Sequence, residues 1–151
     1  MASSLVKIDV HLMFHVKSTG ITMRTEDLPR IFSYIAGVAK GVGSTSFTVG
    51  GVNDHVHVLA SLPKTMSVAD FVRTIKAESS KWMKTLDPSY AQFAWQDGYG
   101  AFSVSPSVLP RTVEYIKNQA EHHHRRSFED EYRALLEASG VAYDERYAFC
   151  D

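Results

Sequence analysis

Two pairs of residues in this chain have types and spacings suited to chemistry: His55 and His57, flanking Val56, and Tyr115 and Gln119, four positions apart. On a strand, side chains alternate faces, so His55 and His57 project to one side, where two imidazoles can grip one cation while Val56 turns into the core. On a helix, positions four apart share a face, so the Tyr115 hydroxyl and the Gln119 amide look the same way. Two imidazoles, an amide oxygen and a phenol are what a metal-assisted tyrosine nucleophile requires. Each pair also has a plainer reading. A His-x-His can simply lie on a partly exposed strand face, and a helical tyrosine usually packs with its hydroxyl at the edge of water. The run His122-His123-His124-Arg125-Arg126 is either a metal tract, a phosphate contact or a solvated cationic turn favoured by a helix dipole.

Several elements must position these residues. Ile8, Val10, Leu12, Phe14 and Val16 alternate with Lys7, Asp9, His11, Met13, His15 and Lys17, the period-two pattern of a long strand with one buried face. Thr25, the acids after it and Pro29 open a helix whose stripe is Ile31, Phe32, Ile35, Val38 and Ala39, ending near Gly41. Ser44 to Val49 and His55 to Ser61 are β-rich, and the segment from Gly50 to Asp54 between them is dense in turn formers, so a hairpin carries both histidines on its second strand. Ser67 with Asp70 caps a second helix that runs to Leu86, with Val68, Phe71, Ile75 and Trp82 as core contacts. Gly98 to Ser105 supplies a turn and a fourth strand. Ser107 starts a third helix through Tyr115 and Gln119, and Ser127 with Asp130 caps a fourth that ends near Gly140. The order is β-α-β-β-α-β-α-α, and its first six elements match the ferredoxin-like split unit, an α+β antiparallel sheet with helices on one face.

Composition bounds the rest. The 151 residues, 44% hydrophobic and 22% charged, suit one domain over 1–151 with a sizeable core. A formal net charge of −1 excludes a whole-molecule basic field, so nucleic-acid binding must rest on local patches. The single cysteine, Cys150, excludes an internal disulfide framework and suits a reducing cytoplasm. No signal peptide and no membrane-spanning run is present, which points to a soluble protein of the cytoplasm.

Taken together, these segments resemble the HUH single-tyrosine transposases of the insertion-sequence two-hundred and six-hundred-and-five group. The resemblance runs from the first strand to Tyr147. It rests on His55 to Leu59, on Phe71 to Lys76 with Ser79 to Trp82, on Trp95 to Ser105, and on Tyr115 to His123, with support from Phe128 to Tyr132 and Tyr143 to Tyr147. Such a resemblance implies a transposase that cuts and rejoins single-stranded DNA through a 5′-phosphotyrosine on Tyr115. It implies Mg2+ or Mn2+ held by His55, His57 and Gln119, single-stranded DNA with hairpin ends as partner, and a homodimer with shared active sites. Imidazoles suit manganese, whereas magnesium prefers oxygen ligands. No general base for Tyr115 is legible, with the cation the economical source of activation and Lys117 or His122 weaker ones. Arg73, Lys76, Lys81 and Lys84 on the second helix, with Arg125 and Arg126, are the expected phosphate contacts, and Trp82, Trp95 and Tyr99 the stacking surfaces.

Two alternatives belong to other classes. A non-catalytic binder with an RRM-like sheet would carry aromatics where His55 and His57 stand. A replication-initiator nickase, or a domesticated relative, shares the tyrosine and the histidines, and only substrate assays or genomic context separate it.

Overall fold

The computed structural model describes residues 2–18, 21–120 and 127–149. Its regular elements are β1 (Asp9–His15), α1 (Leu28–Gly41), β2 (Ser46–Val52), β3 (His55–Ser61), α2 (Val68–Leu86), β4 (Gly100–Val104), α3 (Leu109–Lys117), α4 (Phe128–Ala138) and a short α5 (Glu145–Ala148). The strands form one sheet in the order β2-β3-β1-β4, every neighbouring pair antiparallel. This is the expected α+β class.

Strand alternation divides the sheet into two faces. Val10, Leu12 and Phe14 of β1 and Val56, Val58 and Ala60 of β3 pack against Ile31, Ile35 and Ala39 of α1 and Phe71, Val72, Ile75 and Met83 of α2. Each large aliphatic or aromatic side chain buried there contributes about 1.5–3 kcal/mol. As expected, Ser67 caps α2, its hydroxyl accepting from the Asp70 N–H at 3.0 Å, a contribution of about 1 kcal/mol. Trp82 packs at the edge of this layer, its ring stacked on Tyr34 at 4.4 Å.

The expectation of one buried face on β1 is wrong, because all seven residues from Asp9 to His15 are buried. Helix α4 is the reason. Its Phe128, Tyr132 and Leu136 recur every four positions and close over Met13 and Phe102 on the second face. That helix comes close enough that a Cβ on Gly100 would stand 2.6 Å from the Tyr132 ring. Ser127 caps α4 as expected, accepting from the Asp130 N–H at 3.2 Å.

Two boundaries differ from the sequence reading. Gly50 and Gly51 belong to β2 rather than to the turn, which is only Asn53-Asp54. Both glycines are required where they stand. A Cβ on Gly50 would lie 2.8 Å from both Cγ2 and the carbonyl oxygen of Ile116 on α3, and Gly51 has φ +149°. Helix α3 begins at Leu109 after a 3-10 turn and ends at Lys117. Asn118 interrupts it, and helical structure resumes at Gln119.

Candidate metal and nucleophile site

His55 and His57 share one face of β3, as their spacing requires, but that face is not partly exposed. Both residues are 0% exposed, beneath α4 and the end of α3. His57 Nε2 lies 2.6 Å from Glu131 Oε1, and His55 Nε2 lies 3.6 Å from the same oxygen. Gln119 is buried too, its Oε1 3.0 Å from His55 Nε2. Tyr115 reaches the cluster from α3 with its ring centroid 5.8 Å from that of His57. The structure thus gathers the four residues that the sequence singled out, despite the interruption at Asn118, and adds Glu131.

Each histidine is also gripped from behind. Asp54 Oδ1 lies 2.7 Å from His55 Nδ1, and His11 Nε2 lies 2.7 Å from His57 Nδ1. The nitrogens that face Glu131 are therefore both Nε2 atoms. Burial disfavours a charged His55, but Asp54 and Glu131 outweigh it and raise its pKa to about 9. Burial prevails at His57, which is pushed below its ordinary value. At Glu131 the histidines overcome burial and hold the carboxyl well below the usual carboxylate range. Burial, with a smaller contribution from the adjacent His57, lowers His11 to about 3.

A divalent cation fits these donors. One ligand atom from each of His55, His57 and Glu131 lies within 4.8 Å of the others. Although His57 Nε2 and Glu131 Oε1 are in close contact, neither is aligned in a hydrogen bond, and both are buried. Two unaligned buried atoms side by side are what ligands aimed at one common point look like, and two nitrogens with a carboxylate and an amide oxygen suit a borderline or hard divalent ion.

Beside the cluster, α3 and α4 enclose a cleft of about 400 Å³ that reaches Tyr115, Glu131 and His11. Ala134, Leu135 and Ala138 also line it, and the exposed Arg111, one turn before Tyr115, stands at its edge. No carboxylate among the described residues pairs with Arg111.

The expected phosphate contacts lie elsewhere. α2 packs on the opposite face of the sheet from the histidines. There Arg73 is exposed and paired with Asp70 at 2.6 Å, and Lys81 is exposed. The Lys76 ammonium is occupied differently, donating to the carbonyls of Gln96, Asp97 and Gly98. Trp95 is not a stacking surface. It is core, wedged edge-on between Phe14 and Phe93, with its N–H donating to Ser79 Oγ at 3.0 Å. Arg125, Arg126 and the expected helper His122 lie outside the described residues.

Sequence reasoning missed Glu131, Arg111 and His11. Glu131 had one available signal, since it shares a helical face with Phe128 and Tyr132 and had to be buried with them. His11 was visible as a polar member of a strand, and only the burial of that second face gives it meaning.

The chain can now be set beside known proteins. The model of the family described as "Transposase IS200 like" matches residues 4–119. The ISDra2 transposase TnpA of Deinococcus radiodurans is 24% identical over 118 residues, covering 75% of this chain and 84% of that protein. The crystal structure of a candidate transposase from Deinococcus radiodurans R1 superposes with a TM-score of 0.60 at 21% identity, covering 79% of this chain and 95% of the other. A REP-associated tyrosine transposase bound to a REP hairpin superposes with a TM-score of 0.59 at 13% identity, covering 95% of this chain and 87% of the other. With the family match spanning most of the length from β1 to Gln119, this chain belongs to the IS200-like transposases.

Proposed function

We propose that this transposase cuts and rejoins single-stranded DNA at insertion-sequence ends through a 5′-phosphotyrosine on Tyr115. The observation that carries this reading is the burial of His55, His57, Glu131 and Gln119 around one point, with the Tyr115 ring 5.8 Å from His57. These residues would hold Mg2+ or Mn2+, which when bound supplies Lewis acidity to the phosphate under attack. α3 carries the Tyr115 ring beside these residues, and in-line attack would bring its oxygen to the phosphate held there. The new bond joins that oxygen to phosphorus and the bond to the 3′ oxygen breaks. The phenol proton finishes, through solvent, on the freed 3′-hydroxyl. Because the phosphodiester energy is kept in the tyrosine ester, a second 3′-hydroxyl reverses the step without ATP.

Hairpin-bearing single-stranded DNA is the proposed partner, supported by the hairpin bound to a relative of similar fold. Arg73 and Lys81 are the proposed phosphate contacts on α2, Lys76 bracing the loop beside them. A homodimer with shared sites is proposed on the family resemblance, and Tyr115 already stands beside the histidines of its own chain. The non-catalytic RRM-like alternative needs an open sheet face, and here α3 and α4 occupy it. The test is incubation with a hairpin-bearing single strand and Mn2+. Wild type should give a covalent adduct joined through the 5′ side of the break, and Tyr115→Phe should bind DNA yet give none. An adduct formed by Tyr115→Phe would place the nucleophile elsewhere.

A further inference from the structure

His11 comes from β1, the strand between β3 and β4, and stands diagonally across from His57, whose direct register partner is Met13. Both imidazoles are buried, with ring centroids 5.0 Å apart and Nε2 of His11 2.7 Å from Nδ1 of His57. A neutral imidazole has one N–H and one lone pair. For His57 to offer its Nε2 lone pair to a cation, its proton must sit on Nδ1, and a buried N–H needs an acceptor. The geometry supplies one and only one atom in position among the described residues, the Nε2 of His11.

We propose that His11 is a positioning residue of the metal site, accepting the Nδ1 proton of His57 and thereby fixing which tautomer and ring orientation face the cation. This rests on the metal-site reading above. Asp54 plays the matching part for His55, so the two ligands are held from behind by unlike partners, a carboxylate and an imidazole. His11 is not itself a ligand in this arrangement, because its Nε2 is engaged with His57 Nδ1. Its ring also lies edge-on to Phe102 and Tyr115, at 6.1 and 6.3 Å between centroids, so replacements must be chosen to preserve packing.

The experiment measures Mn2+ affinity by calorimetry on the full chain without DNA. His11→Phe keeps a ring against Phe102 and Tyr115 but removes the acceptor, and should bind Mn2+ about 10–100-fold more weakly, the usual loss when such an outer partner of a metal-bound histidine is removed. His11→Gln returns an acceptor at a similar reach and should recover most of that loss. Imidazole nitrogen shifts of the Mg2+-saturated wild type should show the proton of His57 on Nδ1, a readout that depends on no variant folding. Affinity unchanged in His11→Phe, no recovery in His11→Gln, or a proton found on Nε2 of His57 would each overturn the assignment. Mn2+ binding untouched by His57→Ala would instead remove the metal site, and with it the role given to His11.

Discussion

Replacing Lys76 with methionine should cost the fold about 2 kcal/mol and leave DNA affinity nearly unchanged. The ammonium donates to the carbonyls of Gly98 at 2.6 Å and Gln96 at 2.7 Å, with a longer contact to Asp97 at 3.3 Å. It also lies 5.2 Å from the centroid of the buried Phe14 ring. A hydrogen bond from a charged donor contributes roughly 1.5–3 kcal/mol. The Asp97 and Gly98 carbonyls are open to water, which replaces the lost donor, so the partly buried Gln96 carbonyl sets most of the loss. The ring contact adds roughly 0.5–1 kcal/mol. Methionine fills the space of the lysine stem, so a cavity term is small. For a chain of this size, about 2 kcal/mol corresponds to a melting temperature lower by roughly 4–8 °C, read by circular dichroism on heating. The slope of log affinity against log salt for a hairpin-bearing single strand should stay as in wild type, because no phosphate contact is lost. An unchanged melting temperature together with a slope smaller by about 0.7 would make Lys76 a DNA contact and not a brace for the 96–98 carbonyls.

Arg111→Ala should do the reverse, reducing that salt slope by about 0.7 with the melting temperature nearly unchanged, because the Arg111 side chain stands at the edge of the Tyr115 cleft with no carboxylate partner among the described residues; an unaltered slope would take the cleft out of the DNA path. Asp27→Ala leaves the buried Tyr90 hydroxyl, now donating to the carboxylate at 2.5 Å, without its acceptor, and should lose roughly 1–3 kcal/mol in urea unfolding. The Arg24 guanidinium holds the Asp27 carboxyl below its ordinary 3.8, so this stabilisation is complete above that pH and is lost as pH falls through the lower folded value; the variant should show a flatter acid limb of stability. Gly50→Ala forces a methyl to within 2.8 Å of Ile116 on the tyrosine helix. It should slow adduct formation by about 10-fold or more, since misplacement by about an ångström is costly to a reacting group, and a normal adduct rate would show that α3 can shift without consequence.

The histidine pair was legible because strand alternation is local, and two residues suffice to state it. Tyr115 and Gln119 were legible for the same reason, although the helix between them is interrupted at Asn118 and the glutamine reaches His55 all the same. Glu131 was not, because its contact with His57 depends on how α4 crosses the sheet, and within α4 it reads as one acid in a capped first turn. The same crossing buried His11 and the rest of the second face of β1, which in sequence is indistinguishable from a solvated polar face. Gly50 and Gly51 read as turn formers, since nothing local says that a helix would rest on one and that the other would take a positive φ. Lys76 read as a free cation because its acceptors are main-chain carbonyls, present at every position and so carrying no sequence signal.

The placement of α4 also bears on how the molecule is made. Residues up to the end of β4 contain every described strand and both helices of the first layer, so that layer can assemble while synthesis continues. The second face cannot. Until residues 128–138 emerge, Met13 and Phe102 have no cover and His57 has no carboxylate beside it. A nascent chain stalled before α4 would carry the sheet and both histidines but an incomplete donor set, so the cluster of His55, His57 and Glu131 comes together only once α4 has followed β4 out of the ribosome.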